Sequence, residues 1–91
     1  MRLDVFLKIS RLIVRRSLAQ EFCDAGYVMV NDSPAKSSKD VKINDEIEIK
    51  RRGRLTKVRV TQVPDKKQIS KNAAENLYQL IKDELQENYL S

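Results

Sequence analysis

The side chains with most chemistry to offer are cations crowded near the start of the chain. Arg11, Arg15 and Arg16 fall within the stretch Ser10 to Ala19, and Arg2 and Lys8 precede them. The spacing predicts two short helices meeting at an Arg15–Arg16 corner. A helix start offers unbonded backbone N–H groups and a positive dipole end, and arginine adds a rigid fork of donors. That combination suits a phosphate. Lys36-Ser37-Ser38-Lys39 supplies a second set, in which Lys36, Ser38 and Lys39 could line the far side of the same surface with short hydroxyls, amides and charge. Arg51-Arg52-Gly53-Arg54 is a hairpin tip with three cations. These could reach a further stretch of phosphates, but their preferred reading is protection of an exposed strand edge against aggregation.

Other chemistries fare poorly. The chain has no histidine, so the commonest general base is missing. Asp45 and Glu46 are neighbours and would point to opposite faces of a strand. Glu46 and Glu48 share a face but alternate with isoleucine as an exposed strand surface does. There is no glycine-rich phosphate loop. Cys23 is the only cysteine, which leaves no internal disulfide and no cysteine–histidine zinc site. These observations argue against an enzyme and against any cofactor or metal. Phe6 and Phe22 fall on apolar helix faces, and Tyr27 alone is not a stacking platform. Recognition should therefore favour backbone shape over base identity.

The elements that must position these groups follow from periodicity. Leu3, Phe6, Leu7, Ile13 and Val14 have helical spacing, with Asp4 in the first turn, where a carboxylate suits the dipole. Leu18, Ala19, Phe22 and Cys23 mark one face of a second helix over Arg16 to Ala25, and Gly26 is a suitable left-handed stop. Cys23 is read as a small buried hydrophobe. Tyr27 to Val30 is rich in strand formers, Asn31-Asp32 is a turn, and Pro34 limits pairing beyond it. Ile43-Asn44-Asp45 is another turn. Glu46 to Lys50 and Leu55 to Val63 alternate as strands should. From Ser70 onward, Ala74, Leu77, Tyr78, Ile81, Leu85 and Tyr89 recur every three or four residues, which predicts a C-terminal helix capped by Ser70 or Asn72.

Ninety-one residues make one small domain, α+β in class. Residues 1–63 are expected to form the basic module with a sheet extension, and 64–91 a linker and the C-terminal helix. The chain carries 18 Lys and Arg against 13 Asp and Glu, a net charge of +5. Residues 1–60 hold 14 basic and 8 acidic side chains (+6), whereas 61–91 hold 4 and 5 (−1), so a polyanion should dock on the first two-thirds. No apolar run suits a signal peptide or a membrane span, which predicts a cytoplasmic protein without membrane contact. Two rival readings remain open. One is a protein-interaction adaptor working through the C-terminal helix, with Leu77, Ile81 and Leu85 as anchors. The other is a DNA-binding regulator, though no helix carries the Asn, Gln and Arg cluster that reads base edges.

The run from Met1 to about Lys50 resembles the S4 RNA-binding domain family. The matching residues are Arg2-Leu3-Asp4, Arg16, Ala19, Gly26, Val28, Val30-Asn31, Lys36, Ser38, Val41-Lys42 and Asp45-Glu46-Ile47. Asp32 and Asn44 stand where that family usually has glycine, and Arg15 where a serine often precedes the arginine. The resemblance implies the alpha-L fold, helices packed on a small twisted antiparallel sheet, with Arg2 and Arg16 as the leading RNA contacts. The longer pattern Phe6-Leu7-Lys8, Ser10-Arg11-Leu12-Ile13, Arg15-Arg16 and Leu18-Ala19 is similar to stand-alone S4 proteins of ribosome-associated quality control, relatives of the small heat-shock S4 protein. It implies large-subunit rRNA and tRNA as partners on split, stalled ribosomes. It also implies a tailing factor that extends the nascent chain with alanine, and action as a monomer. A heat-shock-type ribosome recycling factor is the alternative within the same family.

Overall fold

A computed structural model describes residues 1–65 and 69–85 of the chain. Helix α1 spans Leu3–Ile9, and every residue of it except Lys8 is buried. It ends before the Ile13 that its spacing suggested. Arg11 adopts a left-handed backbone (φ 63°), and the Ile13 N–H donates to the Leu7 carbonyl, which folds the chain back on the helix. Helix α2 spans Arg16–Asp24 and turns Ala19 and Cys23 inward. Gly26 stops it at φ +80°, and the Tyr27 N–H closes the end on the Phe22 carbonyl. Burial pushes the Cys23 thiol up to about 11, with Asp4 and Asp24 adding to the shift, so it is inert at neutral pH.

Five antiparallel strands follow: β1 Val28–Val30, β2 Ser33–Pro34, β3 Glu46–Arg51, β4 Arg54–Val60 and β5 Tyr78–Leu85. Their order is β2-β1-β3-β4-β5. Two tight turns set the register. Asn31 and Asp32 (φ 51° and 68°) join Val30 to Ser33, and Arg52 and Gly53 (φ 50° and 76°) join Arg51 to Arg54. Positive φ at both central residues matches the strand twist, and favours Asn, Asp or Gly. Pro34 sits on the outermost strand, where its missing N–H leaves no ladder bond unmade. Ile47, Ile49, Val58 and Val60 face the helices and complete a core with Leu3, Phe6, Leu7, Ile13 and Val28.

The connection from β2 to β3 crosses the start of α1. The Leu3 and Asp4 N–H groups donate to the carbonyls of Lys39 and Ser37, and the Val41 N–H to that of Met1. The N-terminal ammonium meets Asp40 at 2.8 Å, a bond that holds the Asp40 carboxyl below its usual range.

The C-terminal helix is corrected by the structure. Ser70 does cap a helix, accepting from the Ala73 N–H at 3.2 Å, but α3 covers only Lys71–Ala74. A 3-10 turn, Glu75–Leu77, leads into β5. The reason is long-range. Without β5, the outer edge of β4 would present a row of unpaired backbone groups, and strand pairing satisfies both chains at once. A bulge at Lys57/Val58 absorbs the register shift in this pairing. Of the three expected helix anchors, Leu77 is buried, whereas Ile81 and Leu85 are exposed. The adaptor reading built on one apolar helix face therefore loses its element. Tyr89 lies outside the described residues, as do 66–68 of the expected linker.

Gly26 offers a check on the backbone account. A methyl added there meets no heavy atom within 4 Å, so only its left-handed φ resists substitution. Gly26→Ala should destabilise the fold by about 1 kcal/mol, read as a lower urea midpoint with an unchanged slope.

Candidate nucleic-acid interface

Asp4 organises the basic corner. It is the second residue of α1, and its side chain is fully buried. Arg2 donates to it through Nε to Oδ1 (3.2 Å) and Nη2 to Oδ2 (3.3 Å). Arg16 donates through Nε to Oδ2 (3.2 Å), and Gln20 through Nε2 to Oδ2 (2.8 Å). Residues from the first turns of both helices thus converge on one carboxylate. Burial alone would raise the Asp4 pKa. Hydrogen bonds from Arg2, Gln20 and Arg16, with the Arg16 charge, outweigh it and pull the value down to about 2.

The two guanidinium groups that the family resemblance offers as leading RNA contacts are consequently not free. Each is held at its inner edge, while about half of each side chain stays exposed (49% for Arg2, 46% for Arg16). A fork anchored at one edge is pre-set to offer its remaining N–H groups outward. Beside it lies an open concavity of about 390 Å³ lined by Met1, Arg2, Val5, Arg16, Val63, Pro64 and Asp65.

The other expected site residues divide into two groups. Arg15 is the N-cap of α2 and adjoins Arg16, and its side chain makes no capping bond, so among the described residues the amides that open α2 have no side-chain acceptor. Lys36, Ser38 and Lys39 ride on the connection whose carbonyls cap α1, which brings them to the Arg2 side of the same corner. That capping also occupies the first amides of α1, so only α2 keeps the expected open helix start. Lys8 and Arg11 sit at the other end of α1, about 9 Å of helix rise from Arg2, and no hydrogen bond ties them to the Asp4 cluster.

Charge distribution separates this corner from the sheet. On the sheet, Glu46 takes Arg59 at 3.0 Å and Lys57 at 3.3 Å, Arg54 faces Asp83 at 3.4 Å, and Lys82 faces Glu84 at 3.8 Å. The bonds from Arg59 and Lys57 hold the Glu46 carboxyl below its usual range. Along the helix pair and the 36–39 loop, among the described residues, Lys8, Arg11, Arg15, Lys36 and Lys39 have no carboxylate partner. The helix pair and the 36–39 loop therefore carry cations that the ion pairs of the sheet do not cancel. No group of three His, Cys, Asp or Glu side chains that could hold a metal occurs among the described residues. No helix there is long and apolar enough to cross a membrane.

Asp4 and Gln20 were missed as organisers. The available signal was an acid inside the apolar run Leu3-Asp4-Val5-Phe6-Leu7, where a helix face for a free carboxylate is hard to find.

Comparison with known proteins places the chain in context. A family model described as S4 domain matches residues 1–47. The RQC P-site tRNA stabilizing factor of Bacillus subtilis is 44% identical over 84 residues, covering 92% of this chain and 95% of that protein. The protein of the same name from Streptococcus pneumoniae is 42% identical, covering 91% and 92%. Among solved structures, trimeric Heat Shock Protein 15 of Vibrio cholerae superposes with a TM-score of 0.81 at 28% identity, covering 89% of this chain and 81% of its own.

Asp4 makes stability depend on acid in a specific window. Its folded pKa of about 2 lies below the ordinary value of 3.8. The stabilisation is complete above pH 4 and fades as pH falls towards 2, and amounts to about 2 kcal/mol. Asp4→Asn should cost about that much at pH 7, and the gap between the two proteins should close between pH 4 and 2 in urea titrations.

Proposed function

The chain belongs to the S4 domain family, alongside the RQC P-site tRNA stabilizing factors, and on that premise we propose that it is an RNA-binding component of ribosome-associated quality control. It binds the tRNA that carries the nascent chain on a split, stalled large subunit, and it contacts large-subunit rRNA beside that tRNA. Holding the tRNA in place lets a tailing factor extend the nascent chain with alanine. The protein acts as a monomer in the cytoplasm and contributes binding rather than catalysis.

One observation carries this reading. Arg2 and Arg16 are anchored by Asp4 and half exposed, Arg15 adjoins Arg16, and the loop carrying Lys36 and Lys39 is bonded to the start of α1, with no carboxylate partner for these three cations among the described residues. Such a surface recognises the spacing of phosphates, not the edges of bases. Ser38 adds a short donor on the same loop. Lys8 and Arg11 extend the surface along α1 for a longer RNA stem. A heat-shock-type recycling role is favoured by the shared fold with Heat Shock Protein 15. The higher identity to the tRNA-stabilizing factors, over nearly the whole of both chains, favours the first reading.

Affinity for a folded tRNA and for isolated large subunits, measured against salt, tests the assignment. Arg15→Ala and Lys39→Ala should each lower the salt slope by about 0.7 to 0.9, with the fold intact. Arg16→Ala should do the same and also lose about 1–3 kcal/mol of stability, because Asp4 is left short of a donor. Unchanged affinity and slope in all three variants would remove the corner from the RNA-binding surface.

A further inference from the structure

The β3–β4 hairpin tip carries Lys50, Arg51, Arg52 and Arg54. Edge protection, the preferred sequence explanation for these charges, does not account for all of them. β4 is paired with β5 out to Arg54 opposite Leu85, and β3 with β1 as far as Ile49 opposite Val28, with the Lys50 N–H donating to the Tyr27 carbonyl, so only Arg51 runs past a neighbouring strand. The cations need another account.

Three features point to a ligand with negative charge. First, Lys50, Arg51 and Arg52 have no carboxylate partner among the described residues, and Arg54 has only Asp83, at 3.4 Å. Second, Arg51 is held in place. Its guanidinium lies 5.5 Å from the centre of the Phe22 ring, and Tyr27 supports that ring edge-on at 5.8 Å. Tyr27 itself is 49% exposed. Third, Arg52 occupies a left-handed position (φ 50°) in a tight turn that favours Asn, Asp or Gly, as the Asn31-Asp32 turn of the same sheet has. A cation there is a poor choice for folding, and such local conflicts concentrate at functional positions.

We propose that Lys50, Arg51 and Arg52 form a second contact for the phosphodiester backbone of folded RNA, distinct from the α1–α2 corner. Phe22 lies six residues after Arg16 on α2, so about 9 Å of helix rise separates the two levels. The two surfaces therefore engage phosphates that are not neighbours, and the protein grips RNA at two points along α2. The inference rests on the RNA-binding reading above and adds a contact that the helix corner does not supply.

Arg52→Asn gives a clean test, because asparagine suits the turn. With the full-length protein, a folded tRNA transcript and isolated large subunits are titrated separately across a range of salt. Arg52→Asn should weaken binding to at least one of them roughly threefold to tenfold and lower the salt slope by about 0.7 to 0.9, with no loss of melting temperature. Arg52→Lys should restore most of the affinity. Arg51→Gln should weaken binding similarly. Wild-type binding by Arg52→Asn and Arg51→Gln, alongside weakened binding by Arg15→Ala, would overturn the tip contact and leave the corner standing, as would capture of an acidic protein at the tip with RNA affinity unchanged. Weakened binding by Arg52→Asn together with a lowered melting temperature would assign the effect to turn shape and overturn it too. A wild-type protein that binds neither RNA would remove both readings.

Discussion

A single buried carboxylate holds the basic corner together. Asp4 accepts from Arg2, Arg16 and Gln20, so one residue links the chain start, the first helix and the second. Two arginines brought this close would repel each other without a charge between them. With Asp4 beneath them, their inner donors are satisfied and their outer donors stay in water. The cost of burying the carboxylate is met by saturating its oxygens, and no buried side-chain N or O is left unpaired among the described residues. The arrangement is a small preorganised cluster of charge built from two short helices, neither of which would be stable alone.

The rest of the molecule supports this corner in two ways. The sheet supplies the apolar floor on which both helices rest, with Ile47, Ile49 and Val58 under the helix pair. It also confines the field. The exposed pairs around Glu46, Asp83 and Glu84 are individually worth little to stability. Their effect is to cancel strand cations, which leaves the unpaired positive charge on the helices, the 36–39 loop and the hairpin tip. A net charge of +5 would otherwise be spread over both faces.

Much of this was legible before any coordinates. Helical spacing located α1 and α2, Gly26 marked the end of the second, and the turns at Asn31-Asp32 and Asn44 adopt the positive φ expected of those residue types. The α+β class was legible too. The terminal segment was not. Its sequence, Tyr-Gln-Leu-Ile-Lys-Asp-Glu-Leu over 78–85, satisfies a helical period as well as a strand. Local pattern could not choose, because the deciding term is an unpaired edge on β4, some 20 residues earlier in the chain. Asp4 was placed correctly in the first turn of α1 but misread, since a helix-dipole role and a buried anchor look alike without its partners.

What the chain alone determines here is therefore local and chemical. Residue types settle where helices can start and stop, which turns tolerate a left-handed backbone, and that the cations outnumber the acids in the first two-thirds. Which cations remain available is a tertiary fact. It depends on which carboxylates fold next to them, and those lie 2, 12 or 29 residues away for Arg2, Arg16 and Arg54. Electrostatic pairing acts through space at a few ångströms, and only the folded backbone converts sequence separation into that distance.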